Sequence, residues 1–190
     1  MKKIAILVLS VLILSTIFSG CVNKNSMDDL LLDVLNNEQT FIDESNEHIY
    51  LKDYKLKENK DIKIIPQKYA LIDFDNDGIN ELVVYVSENY GVYIIFHMYA
   101  GNIYGFEFME RAMIDLKTDG SFIQSEGAGT NAYARLTFNK NGYDIFKEAY
   151  SNDIDNVYEI NEKKSTSKKV NNYKQEFSKK ESVNWKGISD

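Results

Sequence analysis

From residue 27 onward the chain switches between two spacings of apolar residues, and each spacing predicts a different element. In "MDDLLLDVLNNEQTFI", residues 27–42, Met27, Leu30, Leu31, Val34 and Leu35 recur every three or four positions, which places them along one side of a helix. Ser26 stands where a cap belongs, and Asp28 and Asp29 fall in the first turn, where the helix dipole favours acids. Residues 43–66 lose that period. There "HIYLKDYKL" predicts an edge strand or extended arm, closed by Pro66, the one proline.

The middle of the chain is short apolar runs punctuated by turn residues. Ile72, Phe74 and the run Leu82 to Val86 flank an acidic turn, and "GVYIIFHMY" (91–99) meets "NIYGFEF" (102–108) across Ala100-Gly101, a hairpin signal. "GSFIQSEG" follows Asp119, and "AYARLTF" (132–138) joins "YDIFKEAY" across Asn139-Lys140-Asn141-Gly142. Strands tied in sequence order by tight turns predict an antiparallel meander. In "TSKKVNNYKQEFSKKESV" (166–183) helical spacing returns, with Val170, Tyr173 and Phe177 on one face, Ser167 as a cap, and Trp185 beyond to pack the tail back. The predicted fold is α+β: an antiparallel β-meander sheet with an N-terminal helix and a C-terminal helix packed on it, forming a single domain over 27–190. No period of 20 to 50 residues recurs, so a repeat architecture is not indicated.

Composition supports a globular chain, with 44% hydrophobic and 27% charged residues in 190, enough for one ordinary core. The aromatic share of 13%, mostly Tyr and Phe in the strand segments, suits a pleated surface covered on one side. Net charge is −7; without the first twenty residues Lys2 and Lys3 go and no acid does, leaving 20 basic against 29 acidic residues, or −9. That balance argues against nucleic acid and against a polybasic hold on anionic lipid, which need clustered Lys or Arg. It suits cation binding.

The first residues carry an address. Met1-Lys2-Lys3 is a short cationic start, and Ile4 to Phe18 is an apolar run of 15, shorter than the roughly 20 a membrane span needs. A signal peptide over 1–20 is the expectation. "FSGC" (18–21) resembles the lipobox of bacterial lipoproteins, with Phe18 where that family usually carries Leu, Val or Ile. The resemblance implies cleavage before Cys21 and diacylation of its sulfur, a tether over 21–26, and a chain lipid-anchored at the extracytoplasmic face of the bacterial cell membrane. Two acyl chains anchor stably where one is marginal. Cys21 is the one cysteine, so no disulfide forms within the chain.

The acidic turn is the segment with the clearest chemistry. Counting Asp73 as position one in "DFDNDGINE", Asp75 and Asp77 occupy three and five, Gly78 six, Ile79 seven and Glu81 nine. Alternate side chains of a tight loop converge on one point, glycine allows the bend, and the position-seven carbonyl adds an oxygen. Two like charges about 4 Å apart repel by roughly 1 kcal/mol in water and about 4 at an effective dielectric of 20, so an empty turn would resist closing. A divalent ion reverses that sign. A solvated Asp-Gly hairpin turn is the alternative, but it would gain nothing from Asp73, Asp75 and Glu81 in register. An EF-hand does not fit, because position twelve is Val84 and both flanks predict strands.

The pattern D-x-D-x-D-G-x-x-E-L resembles the calcium loops of extracellular FG-GAP and VCBS-type β-repeats, with Glu81 where Asp is commoner. It occurs once and does not imply a propeller. The resemblance implies bound Ca2+, held by Asp73, Asp75, Asp77, Glu81 and the Ile79 carbonyl. Calcium is expected over magnesium because the ligands are all protein oxygens, and magnesium usually keeps several waters. A longer succession, "DVLNNEQTFID" (33–43), "KYALIDFDNDGINELVV" (68–84), "NIYGFEFMERAM" (102–113), "LKTDGSF" (116–122) and "YARLTF" (133–138), resembles a class of uncharacterised Gram-positive lipoproteins, which implies no particular activity.

Other candidates carry less. His97 sits in an apolar run and is expected as a satisfied sheet-face histidine; His48 is the other histidine. Arg111 and Arg135 are the two arginines, able to hold a ligand acid or to pair with the chain's own acids, the second use being favoured. The small-residue stretch "SEGAGTNAYARL" (125–136) predicts a loop of the kind that lines sites. Glu107, Glu110, Asp115 and Asp119 could supply a carboxylate pair for glycoside chemistry, although an acidic surface gives such pairs by chance. No nucleophile and base are paired in the sequence. The preferred reading is a calcium-stabilised binding or interaction lipoprotein recognising a wall polymer, peptide or protein, supported if Tyr90, Tyr93, Tyr99 and Tyr104 form an exposed strip. The alternative is an extracytoplasmic hydrolase using carboxylates or the metal.

Overall fold

The computed structural model describes residues 24–57, 61, 63–86, 91–140 and 142–188, with side chains from residue 27 on. The expected signal peptide, Cys21 and Tyr90 lie outside the described residues. Helix α1 (Lys24–Leu35) starts inside the segment expected as a tether, so Ser26 is a helical residue and not the cap. It also stops well before 42. Asn37 turns left-handed at φ 59°, Glu38 N–H donates to the Asp33 carbonyl (2.8 Å) and Asn37 N–H to that of Val34 (3.1 Å). These two bonds close the helix end around an asparagine in the place glycine often takes. The residues beyond form β1 (Phe41–Ile42) and β2 (His48–Ile49), followed by a single 3-10 turn at Leu51–Asp53.

Next come β3 (Pro66–Ile72), β4 (Glu81–Val86), β5 (Val92–Tyr99) and β6 (Asn102–Met109), paired antiparallel in sequence order. The β5–β6 turn places Ala100 and Gly101 at φ 51° and 80°, the double left-handed conformation that matches strand twist in a two-residue hairpin. A second meander follows in β7 (Ser121–Gly127), β8 (Thr130–Asn139), β9 (Gly142–Asn152), β10 (Val157–Ile160) and β11 (Lys163–Lys164). Helix α2 (Ser167–Ser178) is capped by Thr166, whose hydroxyl accepts from Lys169 N–H at 3.4 Å, one residue earlier than expected. The tail returns as β12 (Lys186–Gly187) along β3.

The fold is α+β with a helix near each end, and its strands form two sheets where one was expected. In the first, β12-β3-β4-β5-β6-β1-β2, strand β1 runs parallel to β6, so that sheet is mixed. The second, β11-β10-β9-β8-β7, is antiparallel throughout. Strand β5 explains the need for both. From Val92 to His97 every residue is buried, and a strand apolar on both faces needs a cover on each. Leu31 and Val34 of α1 cover one face, over Leu82, Val84, Ile94 and Phe96. Phe122, Ala134 and Leu136 of the second sheet cover the other, against Val83, Ile95, Phe106 and Phe108. Phe177 of α2 then seals the outer face of the second sheet on Tyr133 and Ala149. Among the described residues no helix is long and apolar enough to cross a membrane.

Candidate metal centre

The turn between β3 and β4 is built around Asp73. Its Oδ1 accepts the Asp77 N–H (3.1 Å) and its Oδ2 the Gly78 N–H (3.0 Å). Asn76 and Gly78 both take positive φ, 60° and 90°, so the backbone doubles back around that carboxylate. Phe74, between the two acids, is fully buried and meets Phe138 edge-on at 6.2 Å between ring centroids. The loop is thereby nailed to the inter-sheet core. On the far side Gly120 lies against the Phe74 backbone, where an added Cβ would come within 2.6 Å of the Phe74 Cα.

Glu81 opens β4 opposite Ile72 and is completely buried. Strand alternation sends it to the same face as Val83 and Tyr85, between the sheets. Its Oε2 accepts the Phe74 N–H at 3.0 Å, and its Oε1 lies 2.9 Å from His97 Nδ1. Burial pushes the Glu81 carboxyl upward, an effect partly offset by hydrogen bonds from His97 and the Phe74 backbone. His97 is itself buried and stacks on Phe138, ring centroids 4.3 Å apart. It is the sheet-face histidine the sequence led us to expect. Its carboxylate partner was missed, yet the β4–β5 register that pairs Leu82 with Phe96 brings Glu81 and His97 side by side.

One oxygen from each of Asp73, Asp75 and Glu81 lies within 4.8 Å of the others, an acidic triad that could hold a metal ion. Asp75 tests the fit. Its Oδ2 accepts the Phe138 N–H at 3.4 Å, while its Oδ1 is buried with no hydrogen-bond partner. A buried carboxylate oxygen without a donor is destabilising by about 1–3 kcal/mol or more, and a cation removes that penalty. The donor set is oxygen alone, which suits a hard cation. Asp77 is not one of the three: it is exposed, and its Oδ1 accepts the Ile79 N–H at 2.7 Å.

The remaining candidates are scattered. Arg135 pairs internally, with Nε 3.5 Å from Glu148 and Nη2 3.4 Å from Asp119, beneath α2. Arg111 is exposed and reaches the Ser125 carbonyl at 3.4 Å. Glu107 accepts from the Tyr54 hydroxyl and the Lys57 N–H, and Asp115 pairs with Lys117 at 2.8 Å. Asp119 is bound by Ser121 and by Lys180 (2.9 Å); burial alone would raise its carboxyl, but those bonds together hold it well below its ordinary value. Three of the four carboxylates weighed for glycoside chemistry, Glu107, Asp115 and Asp119, are thus engaged by partners within the chain. The segment 125–136 is mostly the β7–β8 hairpin, whose register leaves Ala128-Gly129 at the tip, so the expected site loop is sheet. The aromatic strip is absent among the described residues as well. Tyr99 is exposed, but Tyr93 is buried between the sheets and Tyr104 packs half-buried against the same core; burial with nearby Glu110 pushes the Tyr93 phenol up to about 12.

Beside His97 a cleft of ≈ 350 Å³ opens between the β1–β2 turn and the β8–β9 turn. Comparison of this chain with family models, with curated proteins and with solved structures finds no match.

Proposed function

We propose that this chain is a lipid-anchored, extracytoplasmic binding protein whose fold is stabilised by calcium at Asp73, Asp75 and Glu81. The anchor rests on the apolar run ending in "FSGC", whose Cys21 would carry the acyl chains at the outer face of a bacterial membrane. The resemblance to Gram-positive lipoproteins points the same way. Asp77 and the Ile79 carbonyl are the next oxygens along the loop and would enlarge the shell.

The observation that carries the reading is the buried, unpartnered Asp75 Oδ1 within the triad. Extracellular calcium modules bind at about 0.1–1 mM, so at tenfold excess the ion would add about 1.4 kcal/mol. That is the scale of a structural clamp. Calcium holds the loop, the loop holds Phe74 and Glu81 in the core, and the sheets keep their spacing for a ligand outside.

The test is thermal melting with calcium and with chelator. A gain of about 1.4 kcal/mol raises the melting temperature by about 3–6 °C for a chain of this size. Asp75→Asn abolishes the rise. A wild-type protein that melts identically in both conditions removes the metal reading. Cys21→Ala tests the anchor separately, since it should move the protein from the membrane fraction to the soluble one.

A further inference from the structure

The cleft next to His97 has a floor and two rims. Tyr104 and Phe106 of β6 form the floor with His97. One rim is the β1–β2 turn, where Asp43 Oδ1 accepts the Ser45 N–H (2.8 Å) and Glu47 N–H (2.9 Å). Glu44 on that rim is paired with Lys57. The other rim is the β8–β9 turn, where Asn139 bonds Asp144 at 2.9 Å and Lys140 stands beside it. Among the described residues Lys140 has neither an ion-pair nor a hydrogen-bond partner.

Both the floor and one rim hang on the acidic triad. His97 is held by Glu81, and Phe138, the residue before Asn139, stacks on His97 and donates its N–H to Asp75. An ion drawing Asp75 and Glu81 to a common centre therefore sets the position of the imidazole and of the β8–β9 turn together. Removing it frees both at once.

The chemistry of the lining selects a ligand class. Glu44 is neutralised by Lys57, which leaves Asp43 on one rim and Lys140 on the other. A ligand with net charge of either sign is drawn to one rim and repelled by the other, so net charge gains it little. Amide, phenol, carboxylate and ammonium groups offer donors and acceptors around rings, which fits a neutral molecule with many hydroxyls and one flatter, less polar face. The volume falls at the small end of the roughly 300–1,000 Å³ of ligand pockets, room for a small saccharide unit.

We propose that this cleft binds a neutral sugar, and that the ion at Asp73, Asp75 and Glu81 strengthens that binding by holding His97 and the β8–β9 turn in place. The proposal rests on the calcium-stabilised binding reading and supplies its ligand class. By linkage the sugar tightens the ion by the same factor.

The experiment is an NMR titration of the full chain with glucose and with N-acetylglucosamine, in calcium and in chelator. Expected are saturable shifts in residues lining the cleft, with a dissociation constant at least about five-fold lower in calcium. Tyr104→Ala and Lys140→Ala each weaken the sugar about five-fold and leave the calcium-induced rise in melting temperature intact. Asp75→Asn removes the effect of calcium on the sugar. Absence of shifts with both sugars at tens of millimolar in calcium overturns the proposal, as do equal affinities in calcium and chelator. Binding of L-alanine in their place overturns it too, by assigning the cleft to zwitterions. If calcium raises the melting temperature but no sugar binds, this proposal falls and the calcium reading stands. If sugars bind, chelator changes nothing and calcium causes no melting shift, the calcium reading falls and takes the coupling with it.

Discussion

Glu81 Oε1 lies 2.9 Å from His97 Nδ1, joining the first residue of β4 to the sixth of β5 inside the inter-sheet core. A buried carboxylate is thus shared between a neighbouring imidazole and the acidic loop. A histidine donating to a metal-binding carboxylate is a recurrent way to fix that ligand's orientation.

The same burial fixes a pH response. The Glu81 carboxyl is raised above its ordinary 4.5, so without an ion the folded chain keeps that proton to higher pH than the unfolded chain does. Its contribution to stability is full below pH 4.5 and is lost as pH rises through the raised value. Calcium at the proposed site would bind the ionised carboxylate and oppose the loss. Melting in chelator should therefore fall, as pH rises above the ordinary 4.5, by more than melting in calcium. Glu81→Gln should flatten the chelator curve and abolish the calcium effect. A wild-type curve that is the same with and without calcium contradicts the assignment.

Asp119 works in the other direction. Its carboxyl is depressed below the ordinary 3.8, so its contribution is present above that pH and disappears as acid titrates it. Asp119→Asn should destabilise the protein by about 1–2 kcal/mol at neutral pH, by weakening the bonds from Ser121, Lys180 and Arg135. Acid melts of wild type and variant should converge toward low pH. Parallel curves would show that the carboxylate does not titrate as described.

Gly120 tests how the metal loop is supported. At φ 76° and with the Phe74 Cα 2.6 Å from where a Cβ would stand, Gly120→Ala should cost about 2–4 kcal/mol from backbone strain and overpacking. Because the displaced segment carries Asp73 and Asp75, calcium affinity should fall as well. Chemical denaturation and calcium titration of the variant read the two effects; unchanged calcium affinity would separate the turn from the site.

Trp185, the one tryptophan, reports on the C-terminal tail. It stacks on Tyr93 at 5.8 Å with Lys68 Nζ 4.7 Å from its ring, just before β12 joins β3. Trp185→Ala should lower stability by about 1–3 kcal/mol through lost burial and stacking. In the wild type its fluorescence change on denaturant unfolding should coincide with the loss of circular dichroism. An earlier fluorescence transition would mean that the tail undocks before the sheets open.

Phe177 is the corresponding anchor for α2, fully enclosed against Tyr133 at 4.9 Å. Phe177→Ala should cost about 3–5 kcal/mol. Tyr173→Phe, which deletes only the hydroxyl that donates to Glu148, should cost about 1 kcal/mol. Denaturant midpoints of the two variants that do not differ would contradict the packing described for this face.

Much of this was legible along the chain because it depends on near neighbours. The stripe at Leu31 and Val34, the Ala100-Gly101 turn, the face of Val170, Tyr173 and Phe177, and the crowding of Asp73, Asp75 and Glu81 are all set within a few residues, where spacing maps directly onto geometry. Helix α1 ended early for a local reason too. Asn37 turns left-handed two residues past Leu35, a conformation asparagine adopts readily and an apolar stripe does not reveal.

Tertiary structure alone decided where one meander became two sheets, because that depends on which strand faces need a second cover. The unbroken burial of β5 was a clue, but what would lie over it could not be read from β5 itself. The Glu81–His97 pair, the Asp119 cluster beneath α2 and the cleft between two distant turns share that origin. Each joins residues separated by more than a dozen positions, and sheet register brings such residues together while local spacing does not. The sequence by itself specified the central strand runs, the apolar faces of the two helices and the acidic loop; packing determined which charges are buried, which of them meet, and which oxygen was left without a partner.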